Sequence, residues 1–180
     1  MLMSHKKYVQ AMSLWNEVLL TEKSVDSRLA QIECLYELAL PQFQPRLKSA
    51  LKLFPENMAL IEFAAYAANR DKNYSGALAF WRELIKNEPL NYQYHVNYIN
   101  ALGLIKDAPG LLEYLKKHEK SFNQNTEYLS ALAYACQNNG LWNEAISRWR
   151  VLENIKKDDM EAVLNEIFCL QKISSPQLFN

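Results

Sequence analysis

Three histidines and three cysteines are the side chains best able to do chemistry in this 180-residue chain. His5, His95 and His118 stand apart in sequence. None is accompanied by the nucleophile and orienting acid that acyl or group transfer requires. Cys34 and Cys136 are 102 residues apart (136 − 34) and lack the paired spacing of zinc ligands. Both are expected to be small, buried apolar side chains. Only four glycines are present, and no phosphate-cradling glycine loop can be assembled from them. The expectation is a chain without catalytic residues, metal site or cofactor, and therefore not an enzyme.

Charge narrows the partners. Lys plus Arg equals Asp plus Glu, 20 each, so the basic excess of a nucleic-acid binder is missing and no nucleic acid is expected. The densest basic cluster, Lys116, Lys117, His118 and Lys120, is short and is expected to be a solvated helix face. No run approaches the ~18 apolar residues of a spanning helix, which predicts no membrane insertion. Met1-Leu2-Met3 leads straight into Ser4-His5-Lys6-Lys7, without the apolar region of a signal peptide. Together with an odd number of cysteines, which suits reduced thiols, this predicts a cytoplasmic location.

The elements that must position any binding residues announce themselves by repetition. Tyr74, Ala77, Trp81 and Leu84 recur as Trp142, Ala145, Trp149 and Leu152, each 68 residues later (145 − 77). Tyr66 and Tyr134 keep the same offset, and Pro55 and Pro89 show its half, 34 residues. A further copy opens the chain as Tyr8, Ala11, Trp15 and Val18. A fixed internal period of this length marks a repeat architecture. Within each copy, apolar residues fall at i, i+3 and i+4, as in Leu60, Ile61, Ala64, Ala65 and Ala68, and strict alternation is absent. The pattern predicts an all-α fold of ten helices: 5–20, 25–39, 44–54, 57–70, 74–87, 91–104, 108–120, 125–139, 142–155 and 159–172. Asn139-Gly140 is expected to stop one helix in a left-handed turn, and Asp107 to cap the next start ahead of Pro109. Trp15, Trp81 and Trp149 are expected in the core, with Trp142 packed in the same place as Tyr8 and Tyr74.

Two helices per 34 residues, with a proline closing the unit, resembles the tetratricopeptide repeat (TPR), in its bacterial form. Unit 58–91 carries the pattern best, through Ile61, Ala64, Ala65, Ala77, Trp81, Leu84 and Pro89. Unit 126–159 follows with Leu129, Leu132, Ala133, Ala145, Trp149 and Leu152, but has Lys157 in place of the proline. Unit 24–57 is weaker. Unit 92–125 is weakest, because Ile99, Leu111 and His118 replace its small residues, and that bulk should push its two helices apart. The resemblance implies one domain over residues 1–173. It would be a right-handed α-solenoid of antiparallel helix pairs, with half units at 5–23 and 160–173 and a tail at 174–180.

The resemblance also implies a function. First helices of such units line a concave groove. Carried onto this chain, the groove positions are Arg28, Ile32 and Tyr36; Glu62, Tyr66, Asn69 and Arg70; Val96, Asn100 and Leu104; and Glu127, Ser130, Tyr134, Gln137 and Asn138. Tyrosine and arginine anchor interfaces, and amides pair with extended peptide backbone. Glu62 and Val96 stand where a lysine that clamps chaperone tails would be, so such tails are not the expected ligand. The expected role is a non-catalytic protein–protein interaction scaffold or adaptor that binds a protein or peptide. The last predicted helix is apolar over much of its circumference. Val163, Ile167 and Phe168 are therefore expected to form a terminal interface, for a homodimer or another partner. The alternative is a TPR assembly or regulatory domain of a larger bacterial protein, such as a glycosyltransferase or polysaccharide-pathway protein.

Overall fold

A computed structural model describes residues 2–21, 24–118 and 120–174. Among these residues there are ten helices and no strand. They are α1 (Leu2–Thr21), α2 (Val25–Glu37), α3 (Phe43–Leu53), α4 (Met58–Arg70), α5 (Tyr74–Asn87), α6 (Tyr92–Ile105), α7 (Ala108–His118), α8 (Thr126–Asn138), α9 (Trp142–Ile155) and α10 (Met160–Ser174). The fold is all-α, as the 3.6-residue periodicity requires. The expected tail lies outside the described residues from 175 onward.

The helix boundaries have local causes. Ser24, Asn73 and Asn125 each accept a backbone N–H from the first turn of the helix that follows, which satisfies one of its orphan donors. Asp107 does the same for Gly110, at 3.0 Å, just ahead of Pro109. Gly140 takes φ +70°, and Leu141 N–H returns to the Cys136 carbonyl at 2.9 Å, closing α8 in a left-handed turn. Lys106, in the same conformation at φ 57°, closes α6 without a glycine. α7 ends at His118, so Lys120 lies beyond the helix that had been expected to contain it.

The chain forms two compact units, residues 1–67 and 68–180. In the first, α2 packs against α1 and α3. Tyr36, Phe43 and Phe63 form an aromatic cluster with ring centroids 4.7 to 6.3 Å apart. Trp15 is only half-buried.

In the second unit α6 packs on α5 and α8, α8 on α9, and α9 on α10. Trp81 and Trp149 are fully enclosed. Cys136 and Cys169 are buried too, and burial raises the Cys136 thiol to a pKa of about 12. First helices α6 and α8 approach so closely that a Cβ on Gly103 would lie 3.0 Å from Ala135 Cα. The following helices behave differently. α7 touches α6 more sparsely than α9 touches α8, and α5 and α7 barely meet. The bulky Ile99, Leu111 and Tyr114 are all buried around α7.

A candidate partner-binding groove

Asn100 on α6 and Tyr134 on α8, both of the expected groove, come together. They border a depression of about 440 Å³ between α6 and α8, together with Val96, Thr126, Glu127, Ser130, Ala131 and Lys156. Helical spacing explains the gathering. Val96 and Asn100 lie four residues apart on α6, while Thr126, Ser130 and Tyr134 rise turn by turn along α8. Gln93 Nε2 donates to Glu127 Oε1 at 3.3 Å across the two helices. The surface thus offers a carboxylate, an amide, hydroxyls, an ammonium and the edge of a phenol ring.

Tyr134 is more firmly held than a solvated side chain. It is 37% exposed. Its ring meets Trp149 edge-on, 4.9 Å between centroids at 82°. Its hydroxyl donates to Glu161 Oε1 at 2.5 Å and accepts from Asn165 Nδ2 at 3.3 Å. Bonding to the Glu161 carboxylate, followed by burial, raises the Tyr134 pKa. Gln137 is similarly engaged. Its carbonyl oxygen accepts from Trp149 Nε1 at 2.9 Å, and its amide donates to Asn165 Oδ1 at 3.3 Å. α8, α9 and α10 are therefore joined by one polar network. Asn138 is exposed.

Two expected groove residues are not on the surface. Ile32 is 1% exposed on α2, a helix flanked by α1 and α3, and Val96 is 4% exposed within the core cluster. At these places an apolar side chain gains more from enclosure than from facing water. Of the rest in the first unit, Arg28 and Glu62 are half-buried, and Tyr66 is 44% exposed. Tyr36 packs in the aromatic cluster and donates to the Ala67 carbonyl at 3.3 Å. In the second unit Asn69 is half-buried, while Arg70 and Leu104 are exposed. Lys156 and Thr126, which the sequence did not single out, complete the α6–α8 depression.

The histidines correct a further expectation. His95 and His118 are not isolated, because their rings lie 5.0 Å apart within a cluster that includes Tyr114, Phe122 and Tyr128. His95 is fully buried. Its Nε2 faces the Pro89 carbonyl at 3.0 Å, which only an N–H can satisfy. Nδ1 is then the acceptor for the Tyr114 hydroxyl, at 2.5 Å. The ring is saturated as a neutral imidazole, and burial lowers its pKa. Burial also lowers that of His118, with His95 and Lys117 adding to the effect. His118 stacks on Tyr114 at 4.7 Å and does not belong to a solvated basic face. The arrangement ties α7 to α6 and contains no nucleophile.

On α10, Val163, Ile167 and Phe168 are all exposed to a substantial degree, as are Met160, Leu164 and Leu170. The opposite side of the helix is buried through Ala162 and Cys169. Phe168 meets Trp142 edge-on at 6.1 Å. No helix among the described residues is long and apolar enough to cross a membrane. No group of three metal-ligating side chains occurs among them either.

No protein-family model matches the chain, and no curated sequence matches it. A solved structure of a point mutant of MamA, a helical TPR-like repeat protein, is similar over 84% of this chain and 89% of that one. The TM-score is 0.61 at 16% sequence identity. At that identity the likeness concerns the fold, and the fold that the two chains share is a helical repeat.

Proposed function

We propose that the chain is a non-catalytic interaction scaffold of the TPR kind, which holds a protein or peptide partner in the α6–α8 groove. The carrying observation is the gathering of Asn100, Glu127, Ser130, Tyr134 and Lys156 around one depression. Such polar groups can pair with the backbone of an extended peptide, and the tyrosine supplies contact area. In this reading Asn69, Arg70, Gln137 and Asn138 are further binding positions of the second unit, and Arg28, Tyr36, Glu62 and Tyr66 are binding positions of the first unit by itself. The test is site-specific photocrosslinking in source cells, with the photoreactive residue at Asn100 and, as control, at Val151, which is exposed on α9. A discrete adduct from Asn100 alone supports the groove. Identical adducts from both positions refute it.

A second reading makes the chain an assembly domain, self-associating or joined to further polypeptide such as a bacterial glycosyltransferase. The apolar outer face of α10 favours it. Ile167→Asp should then lower the oligomeric mass measured by light scattering. An unchanged mass sinks self-association through this helix.

A further inference from the structure

We propose that the cleft between α5 and α7 is a second binding site, which takes an acidic amphipathic helix of a partner protein. The cleft holds about 770 Å³, within the range of ligand pockets. Its origin is the uneven packing of this unit. α6 and α8 close up at Gly103 and Ala135, whereas α5 and α7 stay apart around bulky side chains. A trough is left with α6 as its floor.

The lining residues follow helical stripes. On α5 they are Leu78, Arg82, Ile85 and Lys86, and on α7 they are Gly110, Glu113, Tyr114, Lys117 and His118. The two walls run in the same direction, because His95 bonds Pro89 just beyond α5 and lies against His118 at the end of α7. From Leu78 to Lys86 the wall is roughly 12 Å long at 1.5 Å per residue, about two helical turns. A straight trough of that length between parallel helices suits a third helix, read through anchors at i, i+3, i+4 and i+7. Leu78, Ile85, Leu102 and Pro89 provide the apolar contacts.

Charge chooses the partner. The walls carry Arg82, Lys86 and Lys117 against Glu113 and Asp107. Asp107 is already committed to capping α7 through Gly110, at 3.0 Å. Arg82 is held over the floor by Tyr98, its Nη2 donating to the phenol oxygen at 3.4 Å. Last-turn cations such as Lys86 and Lys117 also serve their own helix ends. Arg82 lies mid-helix and has no such duty, which makes it the diagnostic position.

The probe is a short fluorescent synthetic peptide with leucines at helical i, i+4 and i+7 spacing and flanking glutamates. A counterpart has lysine for every glutamate. Both are titrated into the full chain by anisotropy. The acidic peptide should bind saturably and at least about tenfold more tightly than the basic one. Arg82→Glu with Lys117→Glu should weaken it by about tenfold or more, while Arg82→Lys with Lys117→Arg retains binding. Val151→Ala, exposed on α9 and outside the cleft, should leave it unchanged. Far-ultraviolet dichroism checks that each variant is folded. Equal affinity for the two peptides, or indifference to charge reversal in a folded variant, overturns the proposal. So does failure of the acidic peptide to saturate when anilinonaphthalene sulfonate binds in a reversal-sensitive way, which assigns the cleft to a small amphiphilic anion.

Discussion

Replacing Gly103 with alanine sets two effects of known sign against each other. In a helix interior the change alone should stabilise by about 1 kcal/mol, because glycine loses more backbone freedom on folding. Here the new Cβ would sit 3.0 Å from Ala135 Cα and 3.1 Å from its Cβ. One of those atoms is main chain and cannot rotate away, so α6 and α8 must separate by several tenths of an ångström along a buried contact. Overpacking of this kind costs about 1–3 kcal/mol. The expected net result is a loss of roughly 0–2 kcal/mol in place of the gain. Gly103→Val should be worse, since its branched chain is aimed into the same backbone. Urea unfolding, followed in parallel by helical dichroism and tryptophan fluorescence, gives the number. Ala135→Gly carries its own helix-propensity cost of about 1 kcal/mol, but it removes the 3.1 Å contact, so it should be less destabilising in the Gly103→Ala background than alone. A Gly103→Ala variant stabilised by about 1 kcal/mol would mean that propensity alone acts and that the two first helices do not approach closely.

Other expectations follow from particular contacts. Trp81→Ala should cost about 3–5 kcal/mol in urea unfolding, as for a fully enclosed ring, and Trp15→Ala on the half-buried α1 site clearly less; equal losses would contradict the burial difference. Because burial lowers the His95 pKa, the unfolded state takes up the proton first, so stability should fall as pH drops below about 6.5, by about 1.4 kcal/mol for each unit of depression. His118 adds to that acid limb, and His95→Gln should reduce it; a flat stability profile from neutral to mildly acid pH would refute the buried neutral imidazole. Burial and a hydrogen bond shared with Glu166 raise the Glu153 pKa, so its ionisation destabilises as pH rises through the raised value. Glu153→Gln should therefore raise the melting temperature at neutral pH, with the advantage shrinking in acid; a lower melting temperature at neutral pH would show that the ionised form is well paired.

The sequence disclosed what depends on spacing along one helix or on a fixed repeat. Ten helices, the enclosure of Trp81 and Trp149, the Asp107 cap and the left-handed Gly140 all follow from local rules. It disclosed less where the outcome depends on which neighbour meets a side chain. Ile32 and Val96 hold positions that look outward in the repeat pattern, yet here adjacent helices enclose them. Tyr134 was readable as a groove residue, but its bond to Glu161, 27 residues onward, rests on the crossing of α8 and α10. His95 and His118 are 23 residues apart (118 − 95) on different helices, so no spacing rule pairs them. The cleft beside them had one visible cause, the bulk at Ile99, Leu111 and His118, although its basic lining was not apparent from those residues.

The Tyr134 hydroxyl serves two surfaces at once. It borders the groove, and it fastens α10 through Glu161 and Asn165. A ligand acceptor that takes this O–H must displace Glu161, and by thermodynamic reciprocity anything that holds the Glu161 bond in place must resist such a ligand to the same degree. Occupancy of the groove and stiffness of the last helix are thereby linked through a single oxygen atom. Faster amide exchange along α10 when the groove is filled would register the trade, and unchanged exchange would show the two surfaces to be independent.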